Sequence, residues 1–370
     1  MAGRVLEGPE RLLIVATELF APGGVQSVGR EAVNALAAGC AEPLSVWSFR
    51  DAAVASPYSM PQGTEVRLAG GSRVKLGSWA VARAARRCDD SLVLLMHMHV
   101  APIAVPMLLR GARVAVFLHG VEVWRALTLA QRFVVERGAH LIANSSYTAA
   151  RFVRANPWFD SQSIDVCPLG IPQAPQYTDV PIAGDVALMV SRMSSADRYK
   201  GHERLIRAWP AVRARVPDAK LTLVGDGDDK PRLESVAADA GVGDAVLFVG
   251  NASDEELVAW YRRCAFFVLP SDGEGFGLVF LEAMRAGKAC ISGPGAPAEI
   301  VDDGVTGLIV SSGDDEALVC ALSRLFLDGE LRDRLGRNGQ ARFRQTFTAR
   351  HFADRLRHLV ALPAAAGHAA

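Results

Sequence analysis

What most constrains the fold is an alternation. Short, uninterrupted apolar runs are separated by stretches of helical periodicity along most of the 370 residues. The runs are "RLLIVAT", "SLVLLM", "RVAVFL", "HLIAN" and "SIDVCPLG" in the first half, then "DVALMVS", "KLTLVGDG", "AVLFVG", "AFFVLPS" and "KACIS" in the second. A strand apolar on both faces has to be covered on both, which is the condition of a parallel sheet built from βαβ units with helices on either side. Between the two series lies the proline-rich, aperiodic "PLGIPQAPQYTDVPIAGD", residues 168 to 185, which reads as an interdomain linker. The pattern predicts two doubly wound α/β domains, residues 1–175 and 183–345. A last helix over 346–362 is expected to pack back toward the first domain. Sheets of this kind bind ligands beyond the carboxyl ends of their strands, so the cleft between the two domains is the expected site.

Composition narrows the function. Half the residues are apolar, enough for two cores. Forty basic and forty acidic residues cancel, so no global field recruits nucleic acid or an anionic membrane. Six cysteines, at 40, 88, 167, 264, 290 and 320, form no C-x-x-C pair and sit in apolar surroundings, as buried reduced thiols of an intracellular protein do. The N-terminal segment lacks the charged, apolar and small-residue series of a signal peptide. The apolar run Leu92–Leu109 is long enough to span a bilayer, but His97, His99, Pro102 and Pro106 favour a strand, a turn and a helix. A cytoplasmic enzyme is expected, with peripheral membrane contact left open.

Several positions could carry chemistry. Gly23 and Gly24 follow the first strand and feed a helix, a place where free amides and the helix dipole receive an anion, although a βα turn also needs glycine. Arg192 follows a strand and Lys200 precedes a helix in "SRMSSADRYKGHERL". Together they could clamp a diphosphate, or they could lie on a solvated loop. Asp226 and Asp228 in "GDGDD" read as a turn in preference to a metal site. His97 and His99 are expected on one strand face lining a cleft, without the third ligand a metal needs. His119 ends a strand, with Glu122 three residues on. In "SDGEGFGLVFLEAM", Glu274 lies on a glycine loop and the amides of Phe276, Gly277 and Leu278 open a helix that carries Glu282. On a single helix the two glutamates would be roughly 12 Å apart along the axis and about 80° apart around it, a poor acid/base pair.

In this order along the chain, the early "GG" loop, "HGVEV", "ANSSYTAARFV", "SRM" with "YKGHERLIRAW", "LVGDGDD", "EGFGLVFLEAMRAGKACIS" and "GAPAEIVDDGVTGLIV" resemble the retaining glycosyltransferases of family 4, which have the GT-B fold. The resemblance implies two Rossmann-like domains facing a central cleft, the first on the acceptor side and the second holding a UDP- or GDP-sugar. It implies that Glu282 holds the ribose and Glu274 the transferred sugar, and that Arg192, Lys200 and the 276–278 amides bind the diphosphate. Gly23 and Gly24 would approach the phosphates as donor-binding residues and His119 the sugar near its anomeric carbon, His119 with Glu274, Arg192 and Lys200 forming the catalytic set. His97, His99 and Glu122 fall on the acceptor side. The chain departs from the family's usual pattern at "SGPGAPAEI", which leaves the role of Glu299 open, and at Gly120, where an acid is more common.

Loss of a diphosphate from a sugar needs fixed positive charge, which the cations and helix amides could supply without a metal or a further cofactor. The implied partners are a nucleotide sugar and a hydroxyl-bearing acceptor in a glycan, glycolipid or glycoside pathway, with no nucleic acid. A sugar-nucleotide epimerase of the same fold and an inactive nucleotide-sugar-binding subunit are the alternatives.

Overall fold

A computed structural model describes residues 11–37, 42–54, 58–86, 88–160, 163–173 and 186–361. It divides into two compact units, one made of the chain up to Ile171 and from Ala349 onward, the other of Pro172–Thr348. Most of the expected linker, residues 174–185, lies outside the described residues, as do the first ten residues, Cys40 and the C-terminal tail.

In the first unit, strands β1 (Arg11–Ala16), β2 (Leu44–Ser48), β3 (Thr64–Leu68), β4 (Ser91–Leu95), β5 (Arg113–Leu118), β6 (His140–Ala143) and β7 (Ile164–Val166) form one parallel sheet in the order β3-β2-β1-β4-β5-β6-β7. The order reverses between β1 and β4, and their register pairs Ile14 with Leu94 and Val15 with Leu95. Helices α1 (Gly24–Ala37), α2 (Arg73–Ala84), α3 (Val105–Leu108), α4 (Leu129–Glu136) and α5 (Ser146–Ala155) connect the strands.

β4, β5 and β6 are buried along nearly their whole length, as their unbroken apolar sequences require. β2 is buried as well, although serines interrupt its apolar run, and β3 escapes the pattern. β3 is the edge strand, half exposed, and its "TEVRL" alternates polar and apolar residues. The apolar run from Leu92 breaks at Leu95 into a 3-10 helix, Met98–Ala104, and the short α3. No helix among the described residues is long and apolar enough to cross a membrane.

The second unit repeats the plan. Strands β8 (Val186–Val190), β9 (Lys220–Val224), β10 (Val246–Gly250), β11 (Phe266–Leu269), β12 (Cys290–Ser292) and β13 (Gly307–Ile309) run parallel in the order β10-β9-β8-β11-β12-β13, reversing between β8 and β11. The helices are α6 (His202–Arg215), α7 (Lys230–Asp239), α8 (Asp254–Arg263), α9 (Leu278–Arg285), α10 (Asp315–Leu327) and α11 (Gly329–Thr346). α8 opens with the Ser253–Glu256 capping box that its sequence announces.

The last helix, α12 (Ala349–Leu359), belongs to the first unit and packs on α1. Its Phe352 ring meets Phe117 edge-on at 6.3 Å, and Arg355 donates to the carbonyl of Pro168. In each sheet the point of reversal opens a crevice at the carboxyl ends of two central strands, where doubly wound sheets receive ligands. The loops after β1 and β4, and after β8 and β11, are therefore the places to look for chemistry.

Candidate active site

In the second unit the loop after β8 is shaped by the glycine turn after β9. The amide of Met193 donates to the carbonyl of Asp226, and the amide of Asp229 donates back to the carbonyl of Met193, each at 2.9 Å. Gly225 and Gly227 have φ of +135° and +155°, and a Cβ on either would run into the backbone carbonyls of Ser191 and Met193. The two acids of this turn are used within it. Asp226 accepts from the amide of Gly227 at 2.9 Å, and Asp228 accepts from the amide of Ser195 at 3.0 Å. Among the described residues no group of three or more His, Cys, Asp or Glu side chains could hold a metal ion.

Arg192 leaves β8 with its side chain 74% exposed; its Nε donates to one oxygen of Asp197 at 2.8 Å, and its Nη2 lies 2.7 Å from the same oxygen in the ion pair. The chain then runs through a 3-10 segment, Ser195–Lys200, and turns into α6 at Gly201. Gly201 has φ of +86°, and a Cβ there would lie 2.8 Å from the carbonyl oxygen of Pro270, at the end of β11. That close approach brings Lys200 to the loop after β11, where it forms an ion pair with Glu274, both side chains about one-sixth exposed. Gly201→Ala is expected to cost about 2 kcal/mol of stability through strain and the clash with Pro270. It should also raise the requirement for any ligand of Lys200; chemical denaturation checks the first effect and ligand titration the second.

The loop after β11 carries Glu274 to the start of α9. Gly273 lies so close to the Tyr199 ring that a Cβ would come within 2.9 Å of it, and Gly277, the residue before α9, has φ of +99°. No side chain caps α9, so its first amides are available to an anion. Phe276 contributes its backbone only. Its ring is buried and meets Phe347 edge-on at 6.4 Å.

One turn into α9, Glu282 accepts a 2.7 Å hydrogen bond on Oε2 from the hydroxyl of Tyr261, a buried residue of α8. Burial raises the proton affinity of this carboxylate above its ordinary value, and the Tyr261 bond offsets part of that rise. The four expected side chains thus lie in three bonded pairs: Arg192 with Asp197, Lys200 with Glu274, and Glu282 with Tyr261. Lys200 meets Glu274 directly, which the assignment of one to phosphate and the other to sugar did not foresee. An ammonium has three N–H donors, so pairing with Glu274 leaves two for a ligand.

Asp197, Tyr199 and Tyr261 are the residues the sequence does not announce. Tyr261 precedes Glu282 by 21 positions and meets it only through the fold. Asp197 lies five residues from Arg192, on a loop without periodicity.

In the first unit, Gly23, with φ of +146°, precedes α1. The preceding turn is fixed by Asp51, whose carboxylate accepts from the amide of Leu19 at 2.7 Å and the hydroxyl of Ser48 at 2.6 Å. Arg30 donates to the carbonyl of Ala21 at 3.2 Å. Gln26 folds back over Gly23 to donate to Glu18 at 2.9 Å.

His97 and His99 do not share a strand face, because β4 ends at Leu95. His97 instead caps the following 3-10 helix, its Nδ1 accepting from the amide of His99 at 3.1 Å, and the two rings stack at 4.7 Å. His119 is buried. Its Nε2 lies 2.7 Å from the carbonyl of Met96 and so carries the ring proton, leaving Nδ1 with its lone pair. Glu122 accepts from the amide of His119 at 2.6 Å, closing the turn around Gly120.

Burial lowers the pKa of His119 to about 4. A depressed histidine leaves the fold at full stability above about pH 6.5 and withdraws roughly 3 kcal/mol as pH falls through 4. His119→Asn should therefore lose less stability than the parent between pH 7 and pH 4 in urea melts. Parallel pH profiles would count against the buried, neutral ring.

The profile of the Glycosyl transferases group 1 family matches residues 182–342. A GDP-mannose-dependent alpha-(1-6)-phosphatidylinositol monomannoside mannosyltransferase from Mycobacterium tuberculosis is 29% identical, the alignment covering 94% of this chain and 98% of the relative. A lipopolysaccharide core biosynthesis mannosyltransferase from Rhizobium leguminosarum is 40% identical over 32% of this chain and 33% of its own. Among solved structures, Anabaena HepE in complex with UDP superimposes with a TM-score of 0.77 at 19% identity, covering 94% of this chain and 98% of that one. Sucrose-phosphate synthase from Thermosynechococcus elongatus gives 0.78 at 21%, with the same coverage. These structural likenesses show the fold, two Rossmann-like units of GT-B type.

Proposed function

We propose that the chain is a group 1 glycosyl transferase that uses a nucleotide sugar, moving a hexosyl group from a UDP- or GDP-sugar to a hydroxyl with retention of configuration. The observation that carries the reading is the arrangement around the start of α9. Along the chain the uncapped start of α9 falls between Glu274, which is paired with Lys200, and Glu282, so helix amides and a cation accompany two carboxylates that can accept from hydroxyls. That is the order of groups along a nucleotide sugar: sugar, diphosphate, ribose.

Glu282, held by Tyr261, takes the ribose hydroxyls, and Lys200, Arg192 and the amides of Gly277 and Leu278 take the diphosphate. Glu274, paired with Lys200, accepts from the sugar's hydroxyls. As the glycosyl–phosphate bond breaks, negative charge grows on the departing diphosphate and the sugar becomes oxocarbenium-like. The fixed cations stabilise the first change. The acceptor attacks the face the diphosphate is leaving, and a phosphate oxygen takes its proton, so no protein nucleophile is required. In the first unit, we assign the Gly23–Gly24 loop to phosphate oxygens and neutral His119 to the sugar, with His97, His99 and Glu122 on the acceptor side.

Local cations and helix amides supply the charge that a divalent ion supplies elsewhere, so turnover is expected to be unchanged by chelators. The relatives named for mannose transfer make GDP-mannose the first donor to test. The protein is incubated with GDP-mannose or UDP-glucose and a panel of polyol, glycoside and lipid-linked acceptors. Nucleoside diphosphate release is followed with and without chelator, and the product's anomeric proton is read by NMR. Release that needs an acceptor and gives an α-linked product from an α-linked donor supports the reading. An inverted product, or sugar-nucleotide isomerisation without acceptor, contradicts it.

A further inference from the structure

We propose that Asp197, seated by Tyr199, is a positioning residue that fixes Arg192 in its donor-binding orientation; the inference rests on the reading of Arg192 as a diphosphate ligand. Three features of the loop after β8 point to it. Asp197 is buried although its partner Arg192 is 74% exposed, so the carboxylate is the fixed member and the guanidinium the one being held. One oxygen of Asp197 accepts from Nε and lies 2.7 Å from Nη2, so the ion pair holds one edge of the guanidinium and leaves its other N–H bonds for another acceptor. The other oxygen accepts from the hydroxyl of Tyr199 at 3.2 Å, and the Tyr199 ring packs on Gly273 in the loop that carries Glu274. One chain of contacts therefore runs from Arg192 through Asp197 and Tyr199 to the Glu274 loop. An exposed arginine released from it would have more side-chain entropy to lose on binding.

The sign of the effect separates positioning from simple charge. Asp197 places a negative charge beside a group meant to meet phosphate, so on Coulomb attraction alone its removal would tighten donor binding. Positioning predicts the reverse. Asp197→Asn should raise the donor KM about tenfold, and Tyr199→Phe, which keeps the ring on Gly273, about threefold.

The decisive experiment is a double-mutant cycle with Arg192→Ala, reading donor KM and kcat for each variant. The expected result is that both substitutions lose their effect, to within twofold, once Arg192 is gone. A cost of equal size in both backgrounds would assign Asp197 to the general structure of the loop and overturn the proposal. So would an unchanged or lowered KM in the Asp197→Asn single variant. If Arg192→Ala itself leaves donor KM and kcat unchanged, the diphosphate reading of Arg192 fails and the positioning role fails with it. That outcome differs from one in which Arg192→Ala is impaired and Asp197→Asn is not.

Discussion

Lys200→Ala is expected to lower kcat/KM for the donor by about two to three orders of magnitude, the scale of losing one preorganised charge from a transition state. Most of the loss should fall on kcat, because the diphosphate carries more negative charge as it departs than while it is bound to the sugar. The same substitution leaves Glu274 largely buried without its cation. Breaking such a pair costs about 3 kcal/mol when it is well shielded, and this one opens partly to solvent, so a smaller loss is expected in chemical denaturation. Steady-state kinetics at several donor concentrations separates the two effects. An unchanged kcat in a folded Lys200→Ala protein would remove the lysine from the chemistry.

Glu282→Gln should act in the opposite direction on stability. Donor KM is expected to rise roughly 100-fold, because two hydroxyls lose a charged acceptor. Yet the free protein should become more stable at neutral pH. Burial raises the pKa of Glu282 in the fold, so its folded form holds a proton more tightly than its unfolded form does. Its contribution is most favourable at low pH and is lost as pH rises through that raised value. At pH 7.5 the charged carboxylate is a cost that glutamine lacks; at pH 4 the difference should disappear. Thermal melts of both proteins at the two pH values test this. A variant less stable than the parent at pH 7.5 would mean that the Tyr261 bond outweighs the burial of the charge. A site that costs the free protein stability and recovers it from the ligand is the pattern expected of a binding residue.

The sequence revealed the repeated βαβ plan because most central strands are apolar on both faces, a pattern that few other structures require. It did not reveal β2, whose apolar run is interrupted by Ser45 and Ser48, or β3, whose polar positions are tolerated because it lies at an edge. His97 and His99 alternate as strand residues would, yet they fall just past the end of β4, where His97 caps a 3-10 helix. In the candidate site, glycines were the legible part. Gly201, Gly225, Gly227 and Gly277 all have positive φ, and at the first three a neighbouring carbonyl leaves no room for a Cβ. The partners were not legible. Glu274 meets Lys200 only when the loops after β8 and β11 converge at the reversal, Tyr261 on α8 meets Glu282 on α9 only through the fold, and Asp197 meets Arg192 through an aperiodic turn of one loop. No local periodicity encodes that convergence.

The central claim is that a nucleoside diphosphate lies along the start of α9, between Lys200 and Glu282. Calorimetric titration of UDP, GDP and the corresponding nucleosides into the parent, Lys200→Ala and Glu282→Gln proteins tests it most directly. The account predicts that one of the two diphosphates binds the parent well and its nucleoside only weakly. Lys200→Ala should lose the advantage of the diphosphate over the nucleoside, and Glu282→Gln should weaken both ligands by a similar factor. Equal binding of the diphosphate to all three proteins would contradict the account.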